Sequence, residues 1–221
     1  MWNSPSPASA DAAPPVGKAV FMAGTDTGVG KTWLSVRLLT HLRAQGLTVA
    51  GMKPVECGGR EDAAALLAAS SPGLSLDEIN PLHTPEPLAP AALTPPPEID
   101  FAALQARCAS LQRAHDFVLV EGAGGWLVPL DAQRTMADLA LALGLPVILV
   151  AANRLGVLNQ VLLSLQAVGS AGLSCRAVFL NSLPGEEDPS QASNARVLRE
   201  RLPDLPVITD EVAELAARLW P

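Results

Sequence analysis

Residues Val20 to Thr32, V-F-M-A-G-T-D-T-G-V-G-K-T, constrain the fold more than any other stretch of the chain. The apolar run Ala19 to Ala23 reads as a strand, and the glycine-rich turn after it opens a helix at Gly30. Such a turn gathers backbone N–H groups into one concavity over the positive end of a helix dipole, which suits a polyphosphate. Lys31 is spaced to reach the β/γ-phosphates and the Thr32 hydroxyl to ligate the Mg²⁺ that accompanies them. The spacing departs from the standard Walker A form: Gly24 lies one residue too far from Gly30, and Thr25 holds the usual first-glycine place. A lone G-K-T says little. Strand, glycine turn, G-K-T and amphipathic helix in succession favour a nucleotide site over a tight βα turn that merely needs glycine.

The rest of the chain alternates in the same way. Helix is expected over Thr32–Gln45, with Trp33, Val36, Leu38, Leu39 and Leu42 as its apolar positions and Gly46 closing it. Further strands are expected at Leu47–Met52, Phe117–Val120, Pro146–Val150, Arg176–Leu180 and Pro206–Ile208, and helices at Glu61–Ala69, Ile99–His115, Thr135–Leu143, Gly156–Ala171, Pro189–Leu202 and Asp210–Leu219. Pro72–Pro97 holds eight prolines and reads as a long irregular loop. Strands apolar on both faces and alternating with helices imply an α/β, P-loop NTPase-like three-layer fold: a mostly parallel sheet with helices on both faces. At 221 residues the chain fits one such domain over 17–221, preceded by a Ser/Ala/Pro-rich tail over 1–16 that reads as disordered.

Composition narrows the function. A net charge of −7 argues against generic nucleic-acid binding. No apolar run has the length of a membrane span, and no signal-peptide pattern opens the chain. Three cysteines, Cys57, Cys108 and Cys175, lack metal or disulfide spacing and fit a reducing cytoplasm. Only three of the 15 cationic residues are lysines, and two of these, Lys31 and Lys53, stand where strands hand over to loops. A compact ammonium suits a tight anionic site better than a guanidinium fork.

In a parallel sheet, ligands gather at the carboxyl ends of the strands, and the glycine loop, Lys53, Glu121 and Asn181 all fall there. Nucleotide-bound Mg²⁺ takes one or two carboxylates beside a hydroxyl and phosphate oxygens. Glu121, after F-V-L-V, and Asp62 are the candidates, against the plainer roles of strand-end capping and helix N-terminal capping. Gly122, Ala123, Gly124 and Gly125 let backbone approach a ligand, or form a flexible turn. His41, His83 and His115 read as ordinary surface or half-buried histidines, and Trp126 as core.

Taken in order, G-T-D-T-G-V-G-K-T, G-M-K-P-V, E-G-A-G-G-W-L-V-P-L, L-P-V-I-L-V, L-G-V-L-N-Q and F-L-N resemble the dethiobiotin synthase family of biotin biosynthesis over about Ala19 to Leu202. Asn80-Pro81 and the proline-spaced loop after it resemble the family too. The resemblance implies a cytoplasmic cyclo-ligase that closes 7,8-diaminononanoate with CO₂ into a cyclic urea, using ATP and Mg²⁺. It implies that Gly28, Val29, Gly30, Lys31, Thr32 and Trp33 hold the phosphates. Asp62, Glu121, Gly122, Ala123 and Gly124 would face the nucleotide, with Thr32, Asp62 and Glu121 on the metal. Asn181 and Ser182 would read the adenine. Lys53 and Lys31 would be catalytic. Thr27, Lys53 and Cys57 would serve the substrate, with Gly156, Val157, Leu158 and Asn159 taking its carboxylate from across a homodimer interface. The chain departs from the family at Cys57, often Ser; at Gln160, often His; and at Pro206–Thr209, where a Gly-x-x-Pro ending is usual.

Two other readings share the phosphate loop. A cobyrinate-type amide ligase carries a glutaminase domain with a nucleophilic Cys–His pair, for which this chain has no room. A partitioning ATPase of the ParA/MinD type wants a second lysine early in the loop, where Thr25 and Asp26 stand, and a basic or amphipathic surface segment.

Overall fold

The computed structural model describes residues 19–220 apart from 184, 186 and 187, so the tail read over 1–16, and Lys18, lie outside the described residues. Six strands form one parallel sheet: β1 (Ala19–Gly24), β2 (Val49–Met52), β5 (Phe117–Gly125), β6 (Val147–Ala152), β7 (Cys175–Asn181) and β8 (Val207–Thr209), in the order β2-β5-β1-β6-β7-β8. Each is buried on both faces through most of its length, which is why these strands read as unbroken apolar runs.

Side chains alternate between two cores. Phe21 and Ala23 point to the face covered by α4 (Phe101–Ala114), α5 (Met136–Leu143), α6 (Val157–Ser170) and α7 (Gln191–Arg201). Val20 and Met22 point to the face covered by α1 (Lys31–Ala44), α2 (Glu61–Ala69) and α8 (Val212–Leu219). Trp126 is core, edge-on to Phe21 at 6.4 Å. In α1 the inward positions are Leu34, Ser35, Leu38, Leu39 and Leu42. Trp33, expected on that apolar face, is instead 42% exposed, with the Arg37 guanidinium 4.8 Å above its ring.

The proline-rich stretch is less irregular than its composition suggests. It contains α3 (Leu76–Ile79), β4 (Leu82–Thr84) and a single 3₁₀ turn over Pro90–Ala92. β4 pairs in parallel with β3 (Val55–Cys57), an element the sequence does not announce because three residues carry no readable period. β5 likewise runs on through the glycines to Gly125, so the flexible turn considered as the alternative there is strand.

Glu56 of β3 is 5% exposed and accepts the amides of Asp62 (3.0 Å) and Ala63 (3.2 Å) at the start of α2. The helix cap considered for Asp62 therefore belongs to Glu56, which leaves the Asp62 carboxylate for other partners. Replacing Glu56 by Ala should lower stability by about 1–2 kcal/mol, the usual cost of losing a buried cap, read as a shift in the urea midpoint at constant m.

Candidate functional site

The cleft lies at the carboxyl ends of β1, β2 and β5 and encloses about 550 Å³. Its floor is the glycine turn. Gly28 and Gly30 adopt φ of 74° and 89°, and Gly30 is the N-cap of α1. The first intrahelical bond of α1 runs from Leu34 N to Gly30 O. Helix geometry thus leaves the N–H groups of Lys31, Thr32 and Trp33 without an intrahelical acceptor, pointing into the turn. Lys31 folds back over the loop, its Nζ donating to Gly124 O at 2.8 Å and Asp26 O at 3.1 Å. A Cβ on Gly24 would come within 2.8 Å of that Nζ, so the displaced first glycine makes room for the lysine. On the far side, Asn181 Nδ2 donates to Val29 O at 3.0 Å and sits where a side chain on Gly30 would go.

The centre of the cleft is an ion-pair cluster. Lys53, 2% exposed, donates to Glu121 Oε1 at 2.7 Å, to Asp62 Oδ2 at 2.8 Å and, weakly, to Gly122 O at 3.5 Å. The Thr32 hydroxyl donates to the same Glu121 oxygen at 2.7 Å. Lys53 is therefore no solvated strand end, and Asp62 and Glu121 are close enough to share one ion. Burial works against the Lys53 charge, but Glu121 and Asp62 outweigh it and hold the ammonium above its ordinary pKa. Asp62 likewise resists burial through Lys53 and falls below its ordinary value. Burial, and then the neighbouring charge of Lys53, pushes Lys31 down to about 8.

Glu121 is fully buried, and its Oε2 has no hydrogen-bond partner. An orphaned carboxylate oxygen beside a threonine hydroxyl and a second carboxylate is a donor set for a hard cation. Among the described residues no three His, Cys, Asp or Glu side chains gather as a protein-only metal cage. The donors present instead suit a Mg²⁺ that keeps phosphate oxygens and waters for most of its shell.

Of the residues expected at the site, Thr27, Gly28, Gly30, Lys31, Thr32, Trp33, Lys53, Cys57, Asp62, Ala123 and Gly124 line this cleft. Glu121 and Gly122 lie behind it, and the Val29 side chain is buried in the core, so only its main chain faces a ligand. Ser182 sits beyond Gly30, its N–H donating to Asp210 Oδ1 at 2.7 Å. Gly156, Val157, Leu158 and Asn159 stand apart from this cleft at the start of α6, where Gly156 has a φ of 94° and Val157 is core. Sequence reasoning missed Glu56 and an apolar wall made of Pro87, Leu88, Ala89, Pro90 and Val128. Its traces in the sequence are the prolines at 85, 87 and 90 and the place of Val128 within E-G-A-G-G-W-L-V-P-L. Among the described residues no histidine lines the cleft; His115 is buried, its Nδ1 paired with Leu111 O at 2.9 Å.

A family model described as an AAA domain matches residues 18–212. Among solved structures, the septum site-determining protein MinD of Pyrococcus horikoshii, complexed with Mg-ADP, aligns with TM-score 0.53 and 17% identity over 91% of this chain and 85% of that one. The cell-division ATPase MinD of Pyrococcus furiosus gives TM-score 0.53 and 20% identity over 93% and 90%. Such likeness shows the fold: α/β, with a mostly parallel sheet of the P-loop NTPase kind. Curated relatives are nearer. The ATP-dependent dethiobiotin synthetase BioD of Akkermansia muciniphila is 39% identical, covering 85% of this chain and 89% of its own. Those of Xylella fastidiosa and Aromatoleum aromaticum are each 41% identical, covering 92% and 86% of this chain and 97% and 88% of theirs. With motifs, fold and near-full-length identity in agreement, the chain belongs to the ATP-dependent dethiobiotin synthetase family, the cyclo-ligases of biotin biosynthesis.

Proposed function

We propose that this protein converts 7,8-diaminononanoate, CO₂ and ATP into dethiobiotin, ADP and phosphate. The observation that carries the reading is the Lys53 ammonium seated between Asp62 and Glu121, with Thr32 of the phosphate turn on the same Glu121 oxygen. One amine of the substrate adds to CO₂ and loses a proton, giving a carbamate. A carbamate oxygen then attacks the γ-phosphorus and ADP leaves. The second amine attacks the carbonyl carbon of the mixed anhydride, expelling phosphate and closing the urea ring.

Carbamate and triphosphate are both anions, so bringing them together is the main electrostatic obstacle. Lys31 and Lys53 both line the cleft and would neutralise that repulsion and the charge that develops during transfer. Thr32, Asp62 and Glu121 would hold Mg²⁺, which supplies charge neutralisation at the phosphate oxygens. Little acid–base machinery is needed for these steps. The apolar wall from Pro87 to Pro90 suits the alkyl chain of the substrate. Asn181 and Ser182 reading the adenine remain part of this proposal, as does a homodimer in which Gly156 to Asn159 take the carboxylate of the neighbour's substrate. Leu155 and Leu163, 81% and 58% exposed beside and on α6, support an interface there. No helix among the described residues is long and apolar enough to cross a membrane.

Purified protein supplied with the diamine, bicarbonate, ATP and Mg²⁺ should release phosphate and dethiobiotin in equal amounts. Phosphate release that is the same without the diamine would sink the reading.

The lowered pKa of Lys31 has a further consequence. Between 8 and its ordinary 10.5 the folded chain binds fewer protons here than the unfolded one, so this group's contribution to stability rises with pH across that window. A triphosphate beside Lys31 favours the charged form, so Lys31 should take up close to one proton on nucleotide binding at about pH 9, where the phosphates are fully ionised, and its share should vanish as pH falls well below 8. Calorimetry in buffers of different ionisation enthalpy measures this uptake directly.

A further inference from the structure

The Asn80-Pro81 motif has no place in the cleft, yet Asn80 is only 2% exposed and every polar atom of its side chain is engaged. Its Nδ2 donates to Lys53 O at 2.8 Å and to Leu82 O at 3.0 Å. Its Oδ1 accepts from Arg60 Nε at 2.9 Å, and its carbonyl accepts from Arg60 Nη2 at 2.9 Å. The preceding residue completes the hold, since Lys53 N donates to Ile79 O at 2.8 Å. The peptide groups on both sides of the Lys53 Cα are thus fixed by residues 79 and 80. Arg60 is in turn the N-cap residue of α2, two positions before Asp62. Its remaining donors reach Asp77 Oδ1 at 3.0 Å and Leu76 O at 3.3 Å, tying the start of α2 to α3.

We propose that Asn80 and Arg60 are positioning residues: through the Lys53 main chain on one side and the α2 N-terminus on the other, they set the Lys53 ammonium against the Asp62 carboxylate. Lys53 stands at the end of β2 and is followed by Pro54, which has no N–H of its own to anchor the segment. A four-carbon side chain magnifies any turn of its peptide. Loss of the Asn80 bond therefore moves Nζ out of reach of two oxygens that it now meets at 2.7 and 2.8 Å. The consequence for turnover rests on the dethiobiotin-forming reading above; the positioning itself does not.

The chain has only Lys18, Lys31 and Lys53 as lysines, so protein carrying [ε-¹³C]lysine gives three side-chain methylene signals, assignable with Lys31→Gln and Lys53→Gln. Asn80→Ala should shift or broaden the Lys53 signal while the Lys31 signal stays in place. At a temperature where circular dichroism shows the variant folded, kcat should fall about 10- to 100-fold, with KM for ATP within about threefold of wild type. Arg60→Met should move both readouts the same way but less; if Asn80→Ala does not fold, Asn80→Ser and Arg60→Met carry the comparison. A lower melting temperature with the Lys53 signal and kcat of the folded variant unchanged would overturn the proposal and leave Asn80 a structural residue. A shifted Lys53 signal in a protein whose wild type makes no dethiobiotin would uphold the positioning and refute the functional reading instead.

Discussion

Lys53→Gln should lower kcat by about 10³-fold, the scale on which losing one preorganised charge or donor at a transition state is felt. Glutamine keeps the stem and a hydrogen-bond donor but removes the charge that the proposed reaction would set between carbamate and phosphate. The same substitution should cost stability. It leaves the fully buried Glu121 and the half-exposed Asp62 as neighbouring like charges, and breaking a buried pair from one side costs about 3–5 kcal/mol at most.

The sign of its pH dependence distinguishes this cost from ordinary destabilisation. In the wild type, Lys53 contributes fully below its ordinary 10.5 and its contribution is lost as pH rises through the raised folded pKa. Asp62 contributes above its ordinary 3.8 and its contribution is lost as pH falls through its lowered folded pKa. Without the ammonium, protonating one carboxylate relieves the repulsion. Lys53→Gln should therefore lie closest to wild type in acid and fall behind it as pH rises through the carboxylate range. Chemical denaturation across pH tests this, and a variant that keeps wild-type turnover to within tenfold would remove Lys53 from the chemistry.

Glu121→Gln is the second large effect, with a different signature. Shape is conserved, and Lys53 keeps Asp62 as a partner, so stability should change far less than in Lys53→Gln. The orphaned Oε2 and the oxygen shared by Thr32 and Lys53 lose their charge together. Affinity for Mg·ADP should drop while affinity for metal-free ADP stays within about twofold, and kcat/KM should fall by about 10²- to 10³-fold. Titration calorimetry with and without Mg²⁺ separates the two. Equal loss in both titrations would mean that Glu121 acts on the nucleotide directly and not through a cation.

How much of this was legible beforehand depended on the range of the interaction. Strand β1, the glycine turn and helix α1 were readable because each obeys a local rule: an apolar run, a glycine requirement, a helical period. Glu121 was readable because a carboxylate directly after an unbroken apolar run has few structural reasons to be there. Trp33 was misplaced because period alone assigns a face by hydrophobicity. An aromatic ring at a helix start can instead rest on an arginine and border a cleft. Strands β3 and β4 went unseen because each is three residues long and its partner lies 27 positions away.

The sequence by itself determined the glycine turn, the layered α/β fold and the supply of two ammonium groups and two carboxylates at or near the ends of strands and the starts of helices. Which of those charges meet was decided by tertiary structure alone. Pairing β5 between β2 and β1 sets Lys53, Thr32 and Glu121 side by side although 89 residues separate the last two. Glu56, at the cleft wall, and Arg60 and Asn80, outside it, then complete the arrangement. Burial and hydrogen bonding between distant segments depend on which strands become neighbours, and no local pattern encodes that choice.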